Sequence, residues 1–136
     1  MKKLILILLL LLAVLGCNAC SQNALADCFD EAEVHAKAEE IAMLVINRNY
    51  DMICSMFRED LAAELTPEYL ASQLDAMLDE NGEFEKFRAT AAAGQKSADG
   101  EENYAIAMVL TKFEDGKRTF TITFDENMDL IGLYMK

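Results

Sequence analysis

The sequence predicts an α+β domain, with three N-terminal helices packed on a four-stranded antiparallel sheet. Three observations predict it. Between Asp30 and Asn81 apolar residues recur at spacings of three and four. After Gly82 the period changes to two. Turn residues then cut this second half into four segments, so helices come first and strands follow.

The chain opens with Met1-Lys2-Lys3, followed by an unbroken apolar run from Leu4 to Leu15, then Gly16-Cys17. A charged start, a short apolar stretch and a small residue at the break is the layout of a secretory signal. A helix of this run reaches about 18 Å, short of the roughly 30 Å of a bilayer core. Val14-Leu15-Gly16-Cys17 resembles the lipobox of bacterial lipoproteins. The resemblance implies a signal peptide over 1–16 and a lipid on Cys17. It also implies attachment to the extracytoplasmic face of the bacterial cell membrane. Residues 17–29 then hold the lipidated cysteine and a short tether, and residues 30–136 form a single domain.

In the first helix Val34, Ala38, Ile41, Ala42 and Val45 share one face. Asn47-Arg48-Asn49 breaks it. The second helix carries Tyr50, Ile53, Cys54, Phe57 and Leu61 on its apolar face. Thr66-Pro67-Glu68 starts the third: Thr66 can accept from free backbone N–H groups and Pro67 suits the first helical position. Leu70, Leu74, Met77 and Leu78 form its stripe, and Asn81-Gly82 is its stop.

Phe87, Ala89, Ala91 and Ala93 alternate with Arg88, Thr90 and Ala92 as a weak first strand. Ser97 to Glu101 is a turn, and Tyr104 to Phe113 is a second strand, apolar on both faces in places. Asp115-Gly116 signals a hairpin. In the third strand Phe120, Ile122 and Phe124 point one way, and Thr119, Thr121 and Thr123 point the other, toward water. Asp125 to Asp129 turns the chain into a last strand, Leu130 to Met135.

The order of elements resembles the cone-shaped nuclear-transport-factor-2-like folds, which overlap the cystatin-like group. More narrowly, Ala42-Met43-Leu44, Asn49-Tyr50-Asp51, Phe57, Leu65-Thr66-Pro67-Glu68, Gly82-Glu83-Phe84 and Phe124-Asp125 to Ile131-Gly132-Leu133 carry a second resemblance. They are similar to a bacterial domain family of unknown function found in lipoproteins. Some members of that family precede an α/β-hydrolase domain, and this chain is read as standing without one.

Charge narrows the function. Without Lys2 and Lys3, ten of the 12 basic residues remain against 24 acidic ones, a formal −14. Such a chain repels nucleic acid and anionic surfaces and favours cationic partners. Among the four cysteines, Cys20 and Cys28 could bridge outside the cytoplasm, and Cys54 reads as a small core residue. No zinc set is read, since the cysteines do not form two C-x-x-C pairs and His35 is the only histidine. Asp125-Glu126-Asn127-Met128-Asp129 partly matches a calcium loop, but Leu130 and Lys136 stand where glycine and glutamate are required. It is read as a hairpin turn. Asp75, Asp79 and Glu80 fall on the polar side of a helix, as a solvated face does, and His35 reads as a surface histidine.

No catalytic residue, cofactor or metal is therefore assigned. The expectation is a non-enzymatic binding or interaction module for a small apolar ligand or a surface protein partner. Tyr50, Phe57, Tyr69, Phe84, Tyr104 and Phe124 are the candidate lining of an apolar pocket, made deformable by numerous methionines. The alternative is a small pocket enzyme of isomerase or hydrolase type. A homodimer through the outer face of the sheet is the third reading, favoured if Ala105, Ala107 and Val109 stand exposed.

Overall fold

A computed structural model describes residues 23–136, which fold as four helical segments followed by four strands. Helix α1 (Glu31–Ile46) starts where the Asp30 side chain accepts from the Glu33 N–H at 2.9 Å. Its five predicted face residues, Val34, Ala38, Ile41, Ala42 and Val45, are all fully buried. The turn after it puts Arg48 in the left-handed region at φ 56°. Asn49 then caps α2 (Tyr50–Met56).

The single second helix expected from Tyr50 to Leu61 is two. Phe57 leaves the helix with an extended backbone (φ −68°, ψ 143°), and a separate turn, α3 (Glu59–Ala62), carries Leu61. The cause is a distant strand: Phe57 bridges Leu130 in parallel, and the Arg58 N–H donates to the Leu130 carbonyl at 2.9 Å. Helix α4 (Pro67–Asp79) starts as predicted, with Thr66 accepting from the Tyr69 N–H at 3.1 Å and Pro67 in the first turn. Leu70, Leu74 and Leu78 are buried, and Gly82 follows at φ 69°.

Strands β1 (Phe84–Lys96), β2 (Asn103–Phe113), β3 (Gly116–Phe124) and β4 (Leu130–Met135) form an antiparallel meander in the order β1-β2-β3-β4. The sheet is open, with β1 and β4 as two separate edges. It neither closes nor curls, which overturns the cone-shaped, nuclear-transport-factor-2-like and cystatin-like expectation. The architecture is an α+β domain with four helical segments on an open four-stranded sheet.

One face of the sheet holds the core. Ala105, Ala107 and Val109 of β2 pair with Phe124, Ile122 and Phe120 of β3, and all six are fully buried with the helix stripes. The first strand joins this face with Thr90, Ala92 and Gly94, opposite Val109, Ala107 and Ala105. A register shift between Phe87 and Ala89 puts Phe87 on the core face opposite Thr111, while Ala89, Ala91 and Ala93 point the other way. The even alternation read through Phe87 is corrected by that bulge. The β2–β3 loop is Glu114-Asp115, one residue earlier than the expected Asp115-Gly116, because the Glu114 and Asp115 N–H groups donate to the Glu83 and Asn81 carbonyls.

Candidate functional site

The opposite face of the sheet is turned away from the core. It is built from the alternate positions of each strand: Ala91 and Ala93 of β1, Ile106, Met108 and Leu110 of β2, the threonines of β3 and Tyr134 of β4. Met108 and Tyr134 are 45% and 41% exposed, two of the three large apolar residues that face solvent. The threonine row does not stand in water as expected. Thr121 is 9% exposed and Thr123 is 6% exposed, because Met108 and Tyr134 flank the first while Ile106 flanks the second. Ala105, Ala107 and Val109, named as the exposed set of a dimer, lie on the core face. The outward set is the other parity of the same strand, with Met108 exposed and Ile106 and Leu110 half-buried.

Two polar networks border the domain. In the first, Arg48 bridges the carboxylates of Asp75 and Asp79 on α4, the Nη1–Oδ1 distance to Asp75 being 2.8 Å. The Tyr50 hydroxyl donates to the same Asp75 oxygen at 2.6 Å. The hydrogen bond to Asp79 leads in raising the Arg48 pKa, and burial leads in pushing the Tyr50 hydroxyl well above its ordinary value, with the Asp75 bond second. In the second, Arg58 donates to Asp60 at 2.7 Å and stands 3.8 Å from Glu102 and 3.7 Å from Asp125. The bond to Asp60 holds that carboxyl below its usual range and raises the arginine. In both networks each guanidinium is already matched by carboxylates, so neither offers an unpaired cation to a substrate. Sequence reading missed both, since Arg48 and Arg58 find their partners through the fold.

An open groove of about 360 Å³ lies beside the first network, between the end of α1, the end of α4 and the start of β1. Met43, Ile46, Leu78, Phe84 and Phe113 make it apolar, and Arg48 and Glu83 edge it. Of the six aromatic residues in the candidate lining, Phe84 alone reaches this groove. Tyr50, Phe57 and Phe124 are buried in the core, Tyr69 is half-buried against it, and Tyr104 is half-buried at the acidic end of the sheet with its hydroxyl 3.0 Å from Glu102.

The remaining candidates have plain positions. His35 is half-buried on α1, its Nε2 3.7 Å from Glu31 and without a hydrogen-bond partner. Cys54 packs against the core, and burial leads in pushing its thiol up. Asp125 folds its turn inward by accepting from the N–H groups of Asn127 and Asp129. Among the described residues no group of three or more histidines, cysteines or carboxylates could hold a metal ion.

A membrane anchor is not borne out by these residues. No helix among them is long and apolar enough to cross a membrane. The signal peptide over 1–16, the lipid on Cys17 and Cys20, the expected partner of Cys28, lie outside the described residues.

Fold and surface together define a small open-faced α+β domain, with helices on one side of a sheet and a face of mixed apolar and threonine side chains on the other. The family described as a protein of unknown function (DUF3887) matches residues 38–133, and the chain belongs to that family. A solved NMR structure of a protein from Ruminococcus gnavus is similar at 27% identity and a TM-score of 0.72. The match covers 83% of this chain and 96% of that one. No curated protein matches the chain.

Proposed function

We propose that the domain is a non-catalytic interaction module whose contact surface is the outer face of the sheet. The observation that carries this is the pair of large side chains, Met108 and Tyr134, left exposed beside Ile106, Leu110 and the β1 alanines. Large apolar side chains left exposed on one face, here Met108 and Tyr134 on either side of the threonine strand, mark a contact site. The test is a photo-crosslinking residue at position 108, with the same residue at Met52 as the control, since Met52 is 51% exposed on α2. Adducts in the native host from position 108 and not from 52 are expected. Equal labelling, or none at 108, overturns the reading.

A second reading is favoured by the apolar groove at Phe84 and Phe113: it would take a small apolar or amphiphilic ligand. Its volume lies at the small end of ligand sites. Native and denatured mass spectra of the purified protein decide it. A discrete added mass that vanishes on denaturation supports a ligand, and equal masses remove it.

The extracytoplasmic location at the bacterial cell membrane is a proposal resting on the sequence from Val14 to Cys17. Replacing Cys17 by alanine is expected to release the protein from the membrane fraction, and retention there would refute the lipid.

A further inference from the structure

The outer face is polarised along its strands. Lys86, Lys112 and Lys117 stand in one row across β1, β2 and β3, as each pairs with the next in register. Lys136 follows at the end of β4, its backbone paired with Thr119. Acids stand beside this row: Glu83 and Glu85 are exposed at the entry to β1, and Glu85 bridges to Lys112. The acids of the β2–β3 loop, Glu114 and Asp115, lie against Gly82 in the connection from α4. At the other end of the sheet the two turns carry Asp99, Glu101, Glu102 and Glu126, all exposed. Two cations stand at this end: Arg58 is 3.8 Å from Glu102, and Lys96, which donates to Asn103, also attracts Glu126. The span from Lys112 to Tyr104 is about 26 Å, more than two screening lengths at physiological salt, so the two ends act as separate poles.

We infer that this face is covered by a second copy of the same chain, sheet against sheet with the strands of the two copies antiparallel. This rests on the reading of the outer face as the contact surface and adds its occupant. A two-fold interface apposes one patch to itself, so the patch must be self-complementary. A two-fold axis along the strands would stack the lysine row on itself. An axis across them lays the lysine row of each copy over the acidic turns of the other, twice. Between the poles, Ile106, Met108, Leu110 and Tyr134 would interdigitate at the spacing of stacked sheets, about 10 Å, and the small side chains of Ala91 and Ala93 permit close approach. The chain as a whole is strongly acidic, and a face with a basic pole is what lets two such chains meet. Four strands by about five outward rows give roughly 500 Å² per copy, or about 1,000 Å² in all, at the low end for a specific interface. The dimer is therefore weak and concentration-dependent, and salt weakens it.

Sedimentation equilibrium of the purified protein tests it. A monomer–dimer equilibrium that shifts toward monomer at high salt is expected. Met108→Glu is expected to weaken it by more than about tenfold. The double variants Lys86→Glu/Lys117→Glu and Glu101→Lys/Glu126→Lys are each expected to be monomeric. An equimolar mixture of the two restores dimers, because both pole contacts are then matched. That rescue also excludes misfolding as the cause of the loss. Spin labels at position 117 of each copy should lie far apart, and a short distance would overturn the antiparallel arrangement. A chain that stays monomeric overturns the inference, as does a dimer indifferent to these substitutions. So does a monomer that binds phosphatidylglycerol vesicles through the same lysines. Adducts from position 108 to a different protein would leave the interaction module standing and remove the second copy. A monomer with no adduct at 108 would remove both.

Discussion

The N–H of Gly94 donates to the carbonyl of Asn23 at 2.8 Å, fastening the segment before α1 to the free edge of the sheet. Residue 94 has to be glycine for this contact. A Cβ built there would overlap the carbonyl oxygen of Ala24 and press on Leu25. The segment expected to be a loose tether is thus docked from Asn23 onward, with Leu25, Ala26 and Phe29 packed on the core.

Gly94→Ala is expected to cost about 1–3 kcal/mol, because the backbone at Ala24 must give way in a packed region. Urea unfolding measures the loss. Hydrogen exchange at the residue 94 amide should quicken as its partner is displaced. An unchanged midpoint with unchanged exchange would show that the 23–25 segment is not seated there.

Thr66→Ala is expected to destabilise the domain by about 1 kcal/mol, since the Tyr69 N–H loses its acceptor at the start of α4. Thr66→Ser keeps the oxygen and should retain most of the stability. Equal loss in both variants, read by thermal unfolding, would point to the methyl group rather than the cap.

Such caps were legible because they are local. Thr66-Pro67 fixes a helix start within four residues, and the spacing of Val34, Ala38, Ile41, Ala42 and Val45 identified a buried face that the structure reproduces residue for residue. Phe120, Ile122 and Phe124 were equally plain. What failed depended on partners far along the chain. Helix α2 ends at Met56 because Phe57 and Arg58 pair with Leu130, and nothing near Phe57 announces it. The bulge before Ala89 likewise depends on β2, and it reverses which alanines face outward. The outer face was harder still. In β2 both parities are apolar, so Ala105, Ala107 and Val109 could not be told from Ile106, Met108 and Leu110 by composition. The lysine row exists only once Lys86, Lys112 and Lys117 are brought into register.

Cys54 and Cys28 should differ sharply toward thiol reagents. Burial first, then the charges of Asp51 and Glu68, hold the Cys54 thiol above its ordinary pKa, and the thiolate is the reactive form. Cys28 is exposed. Under reducing conditions at mildly alkaline pH, iodoacetamide should modify Cys28 well before Cys54, as peptide mass mapping would record. Faster labelling at Cys54 would contradict both its packing and the assignment of a core cysteine.

The Tyr50–Asp75–Arg48 network gives the domain a defined response to alkali. The Tyr50 side chain is buried, and its hydroxyl donates to a carboxylate, so the folded state resists losing that proton. The unfolded chain ionises the same phenol near pH 10. Below that pH both states are protonated and the network's contribution is fully present. Above it the unfolded state sheds a proton that the folded state keeps, so stability falls as pH rises, by up to about 1.4 kcal/mol per unit for one group. Tyr104 acts in the same sense, its pKa raised by burial and then by its bond to Glu102. Tyr50→Phe should therefore remove part of the alkaline decline. At neutral pH it frees one Asp75 acceptor site that Arg48 still satisfies, and the cost should stay near 1 kcal/mol. Asp75→Ala should cost more, about 1–3 kcal/mol, because it leaves the Tyr50 hydroxyl without its acceptor. Urea titrations at neutral pH and above pH 10 measure both. Parallel alkaline declines in the wild-type protein and Tyr50→Phe would mean that Tyr50 ionises as freely folded as unfolded, and the network would then have no hold on its proton.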